Sequence, residues 1–130
     1  MADETPDEPL DDGTPKADTQ RHQIAKRRYR EESAGVVVGG TRYASDRASQ
    51  ALVTGAVVAA RAAQDAGEAF SIQWKCPDGW ATLDATTMIA AGQAIRSHVQ
   101  ACFDREAALL ATVDGESYTD DQLGTGWPEG

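Results

Sequence analysis

Read as a pattern of apolar and polar positions, the middle of the chain divides into five elements. Residues 20–33 lack strong breakers and are rich in helix formers, which predicts a short helix; Gly35 ends it. "VVVGGTRY" places Gly39-Gly40 between Val38 and Thr41, where the pair can supply the positive φ angles of a two-residue hairpin turn. Alternation then puts Val36, Val38, Thr41 and Tyr43 on one face, with Val37 and Arg42 on the other. A second helix opens at Ser45 or Asp46 as N-cap and runs to a stop at Gly67. It has no charge from Leu52 to Ala60. Ala51, Gly55, Ala56, Ala59 and Ala63 form a small-residue face that allows another backbone to approach. "FSIQWKCPDGWATLD" predicts a second hairpin, turning at Pro77-Asp78-Gly79, with Ile72, Trp74, Cys76 and Trp80 on a shared buried face.

The last element is a long helix capped by Asp84. Leu83 before the cap and Met88 inside the helix match a hydrophobic staple. Its apolar stripe runs through Met88, Ile95, Val99, Cys102, Phe103, Leu109, Leu110 and Val113. From Ala85 to Val113 the helix spans roughly 43 Å at 1.5 Å per residue, longer than a small two-hairpin sheet can cover. Its far end must therefore pack on the first helix or on another chain.

Charge is unevenly placed. The 130-residue chain carries a formal net charge of -9. Residues 1–20 hold Asp3, Glu4, Asp7, Glu8, Asp11, Asp12 and Asp18 against Lys16 alone. Residues 114–130 hold Asp114, Glu116, Asp120, Asp121 and Glu129 with no base. The stretch between is close to neutral. The expected organisation is an acidic arm over 1–20, disordered or docked on a partner, a domain over 21–113, and an acidic tail over 114–130. Leu10, Tyr118, Leu123 and Trp127 punctuate the two ends as apolar anchors.

Within this acidic chain, "KRRYR" (residues 26–30) concentrates positive charge around a tyrosine, a composition shared with nucleic-acid-binding segments. As a helix it spreads its cations around the circumference, and Arg27–Glu31 and Arg28–Glu32 stand four apart as internal pairs. With the net charge repelling a polyanion, no nucleic-acid partner is expected. His22, Cys76, His98 and Cys102 do not have zinc-ligand spacing, so no metal or other cofactor is expected. There is no nucleophile elbow, phosphate-binding glycine loop or paired-carboxylate motif, and Asp46 and Asp84 read as helix caps, so no enzyme activity is expected. The cysteines are expected to be free and buried. No apolar run is long enough to span a membrane, and the first residues lack a secretory pattern, so no membrane association and synthesis in a cytoplasm are expected.

The order of "GGTRYASDRASQALVTGA", "FSIQWKCPDGWATLDATTM" and a long alanine-rich helix resembles a domain of unknown function found in tailed-phage tail genes. Tyr43, Ser45, Asp46, Ser49, Gly55, Trp74, Leu83 and Met88 carry the likeness, which covers residues 21–113 and neither arm. The resemblance implies a virion protein of the tail, baseplate or fibre that binds other tail proteins. A tail-fibre assembly chaperone absent from the finished particle is the alternative, and a small nucleic-acid-binding regulator a more distant one. No catalytic residues come with the family.

The expected fold is α+β in the order α-β-β-α-β-β-α. The residues expected to bind protein are Leu109, Leu110 and Val113 at the end of the long helix, and Tyr118, Leu123 and Trp127 in the tail. Other tail proteins and a second copy of the chain are the expected partners.

Overall fold

The computed structural model describes residues 15–130. Its elements are α1 (Lys16–Glu32), β1 (Val36–Val38), β2 (Thr41–Tyr43), α2 (Arg47–Asp65), β3 (Ser71–Cys76), β4 (Gly79–Asp84) and α3 (Ala85–Asp114), followed by a short 3₁₀ helix, Asp120–Gly124. The fold is α+β in the order α-β-β-α-β-β-α, with two separate antiparallel hairpins. Helix α1 starts four residues earlier than its breaker-free stretch predicts. Pro15 supplies the carbonyl that accepts from Asp18 N and Thr19 N in its first turn. Leu10 and the acids of residues 1–14 lie outside the described residues.

The chain forms two compact units. One comprises residues 32–100 with 129–130; the other comprises residues 15–31 with 101–128. In the first, Val36 pairs with Tyr43 and Val38 with Thr41 across the Gly39-Gly40 turn. Both glycines have positive φ, 57° and 83°, as a tight hairpin demands. Val36 and Tyr43 are buried and Val37 is exposed, so the alternation holds. The core of this unit is Val36, Tyr43, Val53, Ala56, Ala60, Cys76, Leu83, Met88, Ala91 and Ile95, with Trp74 and Ile72 packed against it.

Two caps set where its helices start. Asp46 accepts from Ser49 N at 3.4 Å and from the Ser49 hydroxyl, and Asp84 accepts from Thr87 N at 2.8 Å. Leu83 and Met88 flank the second cap, 3% and 0% exposed, as the staple predicts. Helix α2 packs closely on α3 at Gly92, where a Cβ would collide with the Val57 side chain. The small-residue face of the sequence reading splits here. Ala56 is buried with Val53 and Ala60, while Ala51, Gly55 and Ala59 face away from the core.

One buried carboxylate organises the start of this unit. Glu32 is fully buried and receives Arg47 Nε at 2.6 Å, Arg47 Nη2 at 3.1 Å and Gln50 Nε2 at 2.9 Å. Its backbone carbonyl accepts the Ser45 hydroxyl at 2.7 Å, and the same Ser45 oxygen accepts from Gly35 N at 2.9 Å. Glu32 thus serves the turn into α2, beyond the i,i+4 partnership with Arg28 that its spacing suggests.

The second hairpin departs from expectation at one residue. Cys76 pairs with Gly79, Lys75 with Trp80 and Trp74 with Ala81. The turn therefore holds two residues, Pro77 and Asp78, not three. Counting Gly79 as a strand residue reverses the parity of everything after it. Trp80 falls on the outward face opposite Lys75, 69% exposed, where a buried position was expected.

In the other unit, residues 101–114 of α3 pack against α1. Ala17, Ile24, Leu109, Val113 and Tyr118 are buried together, with Leu110, Leu123 and Trp127 packed on them. The long helix thus meets the first helix, one of the two outcomes that its length requires.

Candidate functional site

The six residues expected to bind protein are brought to one place, and that place is the core of the α1-containing unit. Leu109, Val113 and Tyr118 are 1%, 1% and 9% exposed within their own chain. Leu110, Leu123 and Trp127 are partly buried around them. The acidic tail is positioned by polar contacts as well as apolar ones. Arg105 donates from Nε to the Thr125 carbonyl at 3.0 Å and from Nη2 to the Gln122 carbonyl at 3.1 Å. Thr119 and Gln122 form a capping box on the 3₁₀ helix, and Trp127 Nε1 donates to the Leu123 carbonyl at 2.8 Å. Burial pushes the Tyr118 phenol up, helped by the charge of Asp120. The surface that these six leave to a partner is the outer part of Leu110, Leu123 and Trp127.

The basic run divides in two. Arg27 pairs with Glu31 at 2.8 Å, and Arg28 pairs with Glu106 at 3.1 Å while its guanidinium lies 4.6 Å from the Phe103 ring centroid. Lys26, Tyr29 and Arg30 face outward. Half of the cations are therefore neutralised by acids of the same unit. Among the described residues no group of three or more His, Cys, Asp and Glu side chains could hold a metal ion. Cys76 and Cys102 are buried thiols, not joined in a disulfide.

The surface that stands out lies at the tips of the two hairpins. Gly40, Thr41 and Arg42 from one, and Cys76, Asp78 and Trp80 from the other, line an open depression of about 200 Å³. The outward face of the second hairpin is otherwise polar: Ser71, Gln73, Lys75, Thr82 and Asp84. Trp80 is its single aromatic residue, and packing does not account for its place there. Arg42 is positioned by a bond from Nη1 to the Ala34 carbonyl at 3.2 Å. Asp78 projects from the turn, exposed.

The chemistry of this depression is recognition chemistry. Arg42 offers a fork of N–H donors, Asp78 a carboxylate acceptor, and Trp80 a large apolar surface with one donor. Cys76 at its floor is kept in the thiol form, its pKa raised by burial and then by Asp78. A thiol so held is a weak nucleophile and a poor metal ligand. Sequence reasoning missed Trp80 because it assumed a three-residue turn. The available signal was the polar partner set: moving the turn by one residue places Trp80 among Lys75, Gln73 and Thr82.

Fold and surface together define a small α+β domain that exposes an aromatic residue at its hairpin tips. The chain belongs to the family described as Domain of unknown function (DUF4376), whose model matches residues 15–124. No curated protein and no solved structure matches it.

Proposed function

We propose that the chain is a non-catalytic protein-binding module of a phage tail, retained in the virion, and that it holds a neighbouring tail protein through the hairpin-tip surface. The observation that carries the protein-binding part is Trp80: a tryptophan 69% exposed on an otherwise polar strand face, beside a depression flanked by a cation and a carboxylate. Tryptophan and arginine are the residues that most often dominate binding energy at protein interfaces. The tail setting is supported by the resemblance of the ordered segments from "GGTRYASDRASQALVTGA" onward to a domain found in tail genes.

The alternative, a tail-fibre assembly chaperone, uses the same surface but leaves the particle. Mass-spectrometric composition of purified particles separates the two. A virion component appears at fixed stoichiometry; a chaperone is abundant in the infected cell and missing from the particle. A salt-sensitive complex with DNA through Lys26 and Arg30 would instead favour the regulator.

A further inference from the structure

Helix α2 is apolar on two opposite sides. Val53, Ala56 and Ala60 point into the core. On the other side Leu52 and Val58 are 66% and 64% exposed, and Ala48, Ala51, Gly55, Ala59 and Ala62 are exposed with them. No charged residue interrupts the helix between Leu52 and Ala60. A second apolar side on a surface helix is ordinarily covered by another surface. Among the described residues, a Cβ added at Gly55 would meet nothing within 4 Å.

The open face has an internal symmetry. With about 3.6 residues per turn, it centres on Gly55. Leu52 and Val58 stand three residues away in either direction, Ala51 and Ala59 four, and Ala48 and Ala62 seven. Leu52 and Val58 fall about 60° to opposite sides of Gly55. About a two-fold axis this patch meets itself, which sets each large side chain, Leu52 and Val58, over a small one of the other copy, Ala59 and Ala51.

We propose that this face joins two copies of the chain, α2 lying antiparallel on α2 and crossing at Gly55. The paired glycines let the two backbones come close. Leu52 of one copy then lies level with Val58 of the other, on either side of the glycine contact, at both ends. Charge fits the same arrangement. Arg47 and Asp65 lie on one edge of the face, so antiparallel packing brings Arg47 beside the partner's Asp65, within about 3 Å along the axis, twice. The Arg47 side chain remains 57% exposed while bonded to Glu32. A charge-free centre also matters for a chain of net charge -9, since two copies meet there without opposing like charges. The dimer does not depend on the hairpin-tip surface or on the tail setting.

The test is the solution mass of the full-length chain against concentration, by sedimentation equilibrium. The wild type should reach twice the chain mass in the micromolar range. Val58→Glu, at an exposed position, should keep the far-ultraviolet circular dichroism of the wild type, and its melting at concentrations where both are monomeric, yet weaken association on the order of a hundredfold. Under mild oxidation Gly55→Cys should give a covalent dimer, and Thr54→Cys, about 100° around the helix, very little. A wild type that stays monomeric, a dimer that Val58→Glu leaves intact, or equal cross-linking from both cysteine variants would overturn the proposal.

Discussion

At the scale of single residues, the two hairpin tryptophans have opposite roles. Trp74 packs against the core of its unit, while Trp80 touches mainly water. Trp74→Ala should cost about 2 kcal/mol or more, somewhat less than a fully buried tryptophan. Trp80→Ala should change stability by no more than about 0.5 kcal/mol, the usual range for a surface change. Chemical denaturation of the two variants checks this, and equal losses would show that the outward register is wrong. The caps give a pH dependence of definite sign. Hydrogen bonds from Ser49, its hydroxyl foremost, hold the Asp46 carboxyl below its ordinary value of 3.8. The Thr87 backbone N–H, then its hydroxyl, do the same for Asp84. A carboxylate with a depressed folded pKa contributes stability above its unfolded pKa and loses it as pH falls through the folded value. Stability should therefore decline below about pH 4, and Asp46→Asn, which still caps, should flatten part of that acid limb. An unchanged acid limb in that variant would remove Asp46 from the account.

At the scale of elements, α2 and α3 meet where Gly92 has no side chain. Gly92→Ala should cost about 1–3 kcal/mol, because the added methyl strikes Val57 in a packed contact. A compensating Val57→Ala should recover part of the loss, and thermal melts of the single and double variants read it directly. The elements themselves were legible because each is written in local chemistry. Gly39-Gly40 specify one turn, Asp46 and Asp84 specify two caps, and the period of Met88, Ile95, Cys102 and Leu109 specifies the long helix. What local chemistry could not supply was parity and partnership. "CPDGW" is compatible with a turn of two or three residues, and only the pairing of Cys76 with Gly79 decides which side Trp80 takes. Likewise Glu32 has a suitable cation four residues earlier, yet its guanidinium bonds at 2.6 and 3.1 Å come from Arg47, fifteen residues later. The hairpin-tip depression draws on both hairpins, so no single segment of sequence describes it.

At the scale of the whole molecule, the tail is where composition and structure pull apart most. Its acids and glycines read as an arm, but Tyr118, Leu123 and Trp127 complete the cluster around Ile24, Leu109 and Val113. Ending the chain after Asp114 should uncover those side chains. Hydrogen exchange in α1 should then speed up by about a hundredfold or more, since a few buried side chains are each worth about 1.5–3 kcal/mol. Exchange in α1 unaltered by the truncation would mean that the tail is held only loosely. The proposed role of the exposed surface is that Trp80 anchors the chain to a neighbouring protein in the tail. The most direct measurement is quantitative mass spectrometry of purified particles assembled with wild-type or Trp80→Ala chain, each variant first shown to melt alike. Wild-type chain should be present at fixed copy number and Trp80→Ala depleted at least about tenfold, the loss of roughly 1.4 kcal/mol or more of binding. Particles that contain both chains equally, or neither, would contradict it.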